Sequence, residues 1–359
     1  MSLFRKKNRD DVPRVESDGP PEAEESTGGG APPTFDEVVS PFYAAGDWDG
    51  LIKALDGIDP ASLDESEVIR WYTGRGTAAE QMGRRDEAVG AYKEGLRRHP
   101  DSSVMHCIVG RLLEEEGRFD EALPHFRSVR LDGGGQAVVM AARYCNLWDA
   151  FEDSAALYSQ IFSAYFDLKI ADDHFLYTRG LPFFSQAYRA LAGVLVLSGR
   201  GDEARALLDD SEAHLSDLQG TENERLTLEA TLGEPAGLLE HLSRAARSDG
   251  LEAMRLATWR ARGTGQRAEA KQLLESVTLG EHDPSWLEDI RLLALIGAAR
   301  RAGELQHEDA RVSEFFEHQP ALFEPEHVFH FGLLDEQQAM KVLYRERRRE
   351  LGPPSRGDG

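Results

Sequence analysis

The sequence predicts an all-α protein: an array of antiparallel helix hairpins closed by a helical C-terminal cap. Three observations carry this prediction. Two segments align without a gap at a spacing of 34 residues, pairing Gly76 with Gly110, Gly83 with Gly117, Ala88 with Ala122 and Tyr92 with Phe126. A turn of the form Gly-Arg-x-Asp-Glu-Ala occurs at Gly83, at Gly117 and again at Gly199. The residues flanking these turns fall one helical turn apart on a common face, as Ala88 and Tyr92 do.

Each residue type in the unit has a physical reason. Gly76 and Gly110 stand mid-helix, where glycine costs roughly 1 kcal/mol against alanine. That cost is tolerable where the missing side chain lets a neighbouring helix approach closely. Ala88 and Ala122 are small residues at the tight contact inside one hairpin, and Tyr92 and Phe126 fill the wider gap one turn further on. Gly83-Arg84 and Gly117-Arg118 end the first helix with a residue suited to the left-handed conformation. Asp86-Glu87 and Asp120-Glu121 put negative charge at the next helix N-terminus, where the dipole favours it. Pro100-Asp101-Ser102 then breaks the chain and caps the following helix.

The same chemistry continues in both directions. Upstream, Phe42, Tyr43, Gly46 and Trp48, followed by Leu51, Ile52 and Leu55, form an opening hairpin. Downstream, Ala141, Ala142, Cys145, Phe151, Ser154, Tyr158 and Ile161 make a third unit slightly short of the period. Tyr188, Leu191, Ala192, Leu195 and Leu208 surround the turn at Gly199 in a fourth. Gly233 to Gly237 form a degenerate turn, and Gly265 to Ala270 with Leu274 and Val277 mark another hairpin. From about residue 284 the pattern changes. Asp283-Pro284 is a cap and first-turn pair, and Trp286, Ile290, Leu293, Leu295 and Ile296 belong to a long apolar helix. Further helices are expected near 304–318 and from about Asp335 to Glu350.

A helix-turn-helix unit of this period, with these residues at these places, resembles the tetratricopeptide repeat family. The resemblance covers most of 35–280. It implies a right-handed superhelix, a tetratricopeptide-like solenoid, over 35–283, with 284–350 as the atypical cap that solenoid ends need. Residues 1–34 read as a disordered tail, because Pro20-Pro21, Gly28 to Gly30 and Pro32-Pro33 have almost nothing apolar between them. Residues 351–359 read as a second short tail.

Composition excludes several functions. The chain has 359 residues and a formal net charge of −23, which argues against broad nucleic-acid binding. The charge is uneven: residues 1–9 carry +4, residues 341–359 carry +3, and the middle carries −30. The basic N-terminus is followed by no apolar run and is not a signal peptide. At most, residues 3–9 would give weak contact with a membrane surface. The apolar stretch from Ala190 to Leu197 is too short to span a bilayer. A cytoplasmic location is therefore expected, and two cysteines, Cys107 and Cys145, read as reduced structural thiols.

No catalytic or cofactor motif appears. There is no GxxxxGK[ST], no GxGxxG after a strand and no GxSxG. Gly133 to Gly135 read as a linker between units. The nearest approach to a metal site is His327 and His330 with Glu324 and Glu326, but Val328, Phe329 and Phe331 around them suggest ordinary packing. No cofactor and no metal are expected, and the chain is not expected to be an enzyme.

What the resemblance implies is protein–protein interaction, through a concave groove lined by the first helix of each hairpin. By that resemblance the groove-facing positions are Arg70, Thr73 and Thr77 in the first unit and Cys107, Arg111 and Glu114 in the second. In the third they are Gln136, Arg143 and Asn146, and in the fourth Gln186 and Arg189. Thr73 and Thr77 stand where the carboxylate clamp for chaperone tails would want Lys and Asn, so that recognition is not supported. Four arginines facing the concavity suit an acidic or extended peptide segment. This assignment treats Arg70, Arg111 and Arg189 as free for a partner and dispensable to the fold. The leading expectation is thus a non-catalytic scaffold or adaptor that binds another protein's segment and no nucleic acid. Behind it stand a peptide- or ligand-sensing regulator and, remotely, a metal-dependent enzyme built on the C-terminal region. Deleting residues 1–34 should leave the Tm nearly unchanged in a thermal melt followed by circular dichroism. A large fall would show that the segment packs.

Overall fold

The computed structural model describes residues 34–131, 134–170, 187–214, 221–246, 250–264, 266–280, 283–303, 312, 315–316 and 324–351. Among these residues it is an α-solenoid without strands. Its helices are α1 (Phe35–Ala45), α2 (Trp48–Asp56), α3 (Glu65–Gln81), α4 (Arg85–Arg98), α5 (Ser103–Glu115), α6 (Phe119–Arg127), α7 (Gly135–Leu147) and α8 (Phe151–Ile170). They continue as α9 (187–197), α10 (Gly201–His214), α11 (Thr221–Thr231), α12 (Ala236–Ala245), α13 (Gly250–Gly263) and α14 (Arg267–Glu275). The last three are α15 (Trp286–Arg301), α16 (Pro325–His330) and α17 (Leu334–Leu351).

Consecutive helices pair into hairpins: α1 with α2, α3 with α4, α5 with α6, α7 with α8 and so on to α13 with α14. The turns explain the pairing. Gly83 and Gly117 adopt φ of +73° and +74°. The amide after each glycine then reaches back to the first helix, Arg84 N to Ala79 O at 2.8 Å and Arg118 N to Leu113 O at 2.9 Å. The third unit makes the same closure without glycine. Asp149 holds φ +60°, and Ala150 N donates to Cys145 O at 2.9 Å. Aspartate is one of the few residues that tolerates this conformation, which is why the third turn keeps its shape while losing its sequence signature. Gly134 caps α7, and Gly135, expected in a linker, begins the helix. Gly133 lies outside the described residues.

Inside the hairpins the alanine–aromatic pairs are fully enclosed: Ala88, Tyr92, Ala122 and Phe126 are all 0% exposed. Ser154 takes the alanine place in the third unit and stays buried by donating its hydroxyl to Ala142 O at 2.8 Å. At the start of the chain, Thr34 N-caps α1 in a reciprocal box with Glu37. The tail assigned to 1–34 therefore ends before Thr34, and a deletion through this residue removes a cap worth about 1 kcal/mol. Residues 1–33 lie outside the described residues, as do 352–359. At the other end Leu351 belongs to α17.

The C-terminal region departs most from expectation. α15 packs against α13 and α14 as a terminal helix should. Val312, Phe315 and Phe316 are helical and buried, and the rest of the helix expected over 304–318 lies outside the described residues. α16 and α17 then do something the sequence did not announce. They return along the array, from α13 and α15 back to α5 and α7. Gly332 lies against Trp259 of α13, Phe329 and Leu334 against Gly193 of α9, and Lys341 against Asn146 at the end of α7. The segment is held by Leu333, Leu334, Met340 and Tyr344, all buried in the same apolar cluster as the central hairpins.

Two glycines in adjoining helices test the packing argument. A Cβ on Gly110 would stand 2.6 Å from the Phe126 ring, whereas a Cβ on Gly90 would meet nothing within 4 Å. Gly110→Ala should therefore cost about 1–3 kcal/mol in urea denaturation through overpacking. Gly90→Ala should be neutral or stabilise by up to about 1 kcal/mol through helix propensity.

Candidate functional site

The first helices of the hairpins line one face of the array, and the assigned residues divide along it into two groups. The N-terminal group makes no bond to α16 or α17 among the described residues. Arg70 on α3 forms an ion pair with Asp36 of α1, with its guanidinium 5.1 Å from the Phe35 ring centre. The Thr73 hydroxyl donates back to Ile69 O at 3.0 Å. Thr77 lies 3.3 Å from the Tyr92 hydroxyl, which donates to Glu80 at 2.8 Å. Arg111 on α5 is mostly buried and holds two carboxylates at once, Glu80 at 2.5 Å and Glu115 at 2.7 Å. It ties α3 to α5. The expectation that this arginine is free and dispensable to the fold is corrected by its two half-buried partners.

The second group is taken up by the chain's own C-terminal segment. Arg143 on α7 pairs with Glu326 of α16 and lies 3.8 Å from Glu324. Asn146 is 0% exposed, and both its backbone oxygen and its Oδ1 accept from Lys341 Nζ, at 2.8 and 3.0 Å. Glu114, expected on an open groove, is buried. It accepts from Trp148 Nε1 at 3.1 Å and from the Tyr344 hydroxyl of α17 at 3.4 Å. Arg189 on α9 donates to Glu224 of α11 at 2.6 Å, and His330 of α16 stands 3.6 Å from the same carboxylate. Gln186 lies outside the described residues. Gln136 is exposed at the start of α7, and Cys107 is buried with its thiol 3.5 Å from Ala137 O. Burial pushes that thiol up to about 12, so it is not a reactive thiolate.

Several residues of this face escaped the sequence reading. Glu80 stands one period before Glu114, so the repeat itself carried its signal. Asp149 sits where other units have glycine, and it binds Arg345 of α17 at 2.5 Å. Arg255 of α13 is 0% exposed, bonded to Glu252, Thr227 and Asn223 and reaching the backbone oxygen of His330 at 3.3 Å. Gly193 admits Phe329, with a Cβ there only 3.3 Å from the Phe329 side chain. Nothing in the local sequence marks Arg255 or Gly193 as special.

The electrostatics of the filled face are unusual for a core. Lys341 is fully buried against neutral oxygens, with the Phe151 ring 5.7 Å away. Desolvation lowers it to about 7. Burial likewise raises Glu114 to about 7, against the opposing pull of Arg348. Asn146 Nδ2, Glu326 Oε2, Glu336 Oε2 and Gln338 Nε2 find no protein partner among the described residues. Each such atom costs about 1–3 kcal/mol of desolvation where it stays unpaired. The docking of α16 and α17 thus combines real apolar burial with an expensive polar interface.

The histidine–glutamate cluster weighed as a metal site does not converge. His327 stacks on Trp286, with ring centres 4.0 Å apart and planes 9° apart, and pairs with Glu324 at 2.7 Å. His330 is lowered to about 4 by burial and faces Glu224 instead. Among the described residues no three His, Cys, Asp or Glu side chains group as metal ligands would. No described helix is long and apolar enough to cross a membrane.

Comparison with known proteins bears directly on the repeat unit. Residues 73–135, from within α3 to the start of α7, match the tetratricopeptide repeat family. These residues are tetratricopeptide repeats. Among solved structures the chain is similar to the tetratricopeptide domain of P58(IPK), at 16% identity over 90% of this chain and 96% of that one. The TM-score is 0.28, too low for that likeness to bear on the course of the superhelix. No curated protein matches the chain. Tetratricopeptide arrays are, as a class, protein–protein interaction scaffolds, and the stacked hairpins found here are of that kind.

The Glu114 environment makes the stability of the protein pH-dependent. A carboxyl raised in the folded state contributes stability that is full below about pH 4.5 and is lost as pH rises through about 7. Glu114→Gln, which stays neutral and can still accept a hydrogen bond, should therefore stabilise the protein at pH 8 by up to about 3 kcal/mol. At pH 4.5 it should change little. Chemical denaturation at the two pH values checks this.

Proposed function

We propose that this protein is a non-catalytic interaction scaffold whose hairpin array takes up a segment of another protein on its concave face. The observation that supports this reading most is that the face formed by α5, α7, α9 and α13 already receives a helix, α17, through side chains aimed into it. A surface that holds a helix by Glu114, Asn146 and Asp149 has the shape and acceptors to hold another. Arg70, Thr73 and Thr77 on α3, outside the reach of α17, would extend the contact toward the N-terminal end.

The partner is not best read as acidic. Arg70, Arg111, Arg143 and Arg189 are each matched by a carboxylate of the chain itself. An acidic peptide that took Arg143 or Arg189 would leave the buried carboxylates of Glu326 and Glu224 behind, which is costly. A ligand-sensing role or a metal-dependent activity has no separate observation in its favour.

The test combines capture with mapping. Tagged full-length protein is purified with its partner, and amide hydrogen exchange is measured on the complex. Added protection on α3, α5 and α7 is the expected result. Protection confined to the outer helices α4, α6 and α8, or failure to retain any protein after cross-linking, would overturn the reading.

A further inference from the structure

α17 meets the array through a mixture of apolar and polar side chains. Toward the array it presents Leu334, Met340 and Tyr344, but also Glu336, Gln337 and Lys341, all buried. Toward the end of the helix the contacts are nearly all polar. Lys341 reaches Asn146, Tyr344 reaches Glu114, Arg345 pairs with Asp149, and Arg348 donates to Tyr344 at 2.8 Å and to Glu115 O at 3.4 Å. These four residues fall at i, i+3, i+4 and i+7, one stripe of a helix.

The receiving surface is complementary in acceptors: Glu114 Oε1, the Glu115 backbone oxygen, the two Asn146 oxygens and the Asp149 carboxylate. Glu114 and Glu115 end α5, and Asp149 follows α7 in the turn to α8. Residues 341–349 supply five basic side chains against one acidic. The match is therefore one of donors to acceptors, to which the Arg345–Asp149 ion pair adds charge. It is also imperfect: Lys341 has only neutral acceptors, and Asn146 Nδ2 and Gln338 Nε2 have no protein partner among the described residues. α17 is not a member of any of the hairpin pairs, so the hairpins do not rely on it for their own pairing.

We propose that the face formed by α5, α7 and the Asp149 turn is a receptor for a basic amphipathic helix, occupied by α17 in the free protein and by a partner helix of the same pattern in the complex. The pattern is a lysine, an aromatic hydroxyl three residues on, and arginines four and seven residues on. This rests on the scaffold reading and names its partner class. α17 is then a tethered competitor, present at the high effective concentration of an intramolecular ligand. It sets a threshold that a partner helix must exceed.

The test uses full-length protein and a labelled peptide of residues 334–351. Weakening the tethered helix with Arg345→Glu and Arg348→Glu should raise the peptide's apparent affinity at least tenfold over the wild type. A peptide carrying the same two reversals should bind at least tenfold more weakly than the unmodified one. Circular dichroism shows whether the double variant folds. Independently of any variant, excess peptide added to wild-type protein should increase amide exchange across 334–351. Equal peptide binding by wild type and a folded double variant, or unchanged exchange over 334–351 at saturating peptide, would overturn the proposal. A dimer that forms through exchange of α17 and is dissolved by the peptide would assign the site to a second copy and overturn the partner assignment. If a captured partner protects the concave face while α17 stays protected, this proposal fails and the scaffold reading stands.

Discussion

The structure depends on one close approach, that of two helices over a missing side chain. Gly110 leaves the Phe126 ring room that a single methyl would take, and Gly76 does the same for Tyr92. Ala88 and Ala122 keep the opposite side of the contact narrow. With small residues at one level and an aromatic ring one turn further on, the two helices of each hairpin pack closely at one end and wider at the other. Stability comes from this repeated burial, and the face it encloses is available for polar chemistry because the hairpins do not need it for their own cores.

That inner face is where energetic tension collects. Its arginines are neutralised locally, by Glu80 and Glu115 for Arg111, by Glu326 for Arg143 and by Glu224 for Arg189. Removing one member of such a pair leaves a buried charge, so these contacts fix the relative placement of neighbouring hairpins rather than simply adding stability. The lysine and glutamate nearest the end of α17 lack full compensation, and burial moves both toward neutrality. The chain's uneven charge has one structural counterpart: Arg345 of the basic C-terminal helix pairs with Asp149 of the array.

Much of the fold was legible in the sequence, because each hairpin is specified by residues within one period. The turns at Gly83 and Gly117, the alanine–aromatic pairs and the opening hairpin from Phe42 to Leu55 all stand where the pattern put them. The third unit blurred because Asp149 and Ser154 replace glycine and alanine through different chemistry, a left-handed aspartate and a hydroxyl bonded to Ala142. Of the site, the family resemblance proposed first-helix residues and said nothing of their state. Arg143, Asn146 and Glu114 lie on the face assigned to them, yet all three are occupied from within the chain. Arg255 and Gly193 gave no local sign of their part in holding α16.

The sequence by itself determined the unit, its period, its turns and the face on which its first helices lie, since these follow from interactions only a few residues long. Tertiary structure alone decided what fills that face. The bonds between Arg143 and Glu326, Lys341 and Asn146, and Tyr344 and Glu114 join residues 183, 195 and 230 positions apart. No periodicity spans such distances. Whether a buried lysine or glutamate finds a partner there depends on how the intervening hairpins stack, because that stacking brings residue 341 to residue 146.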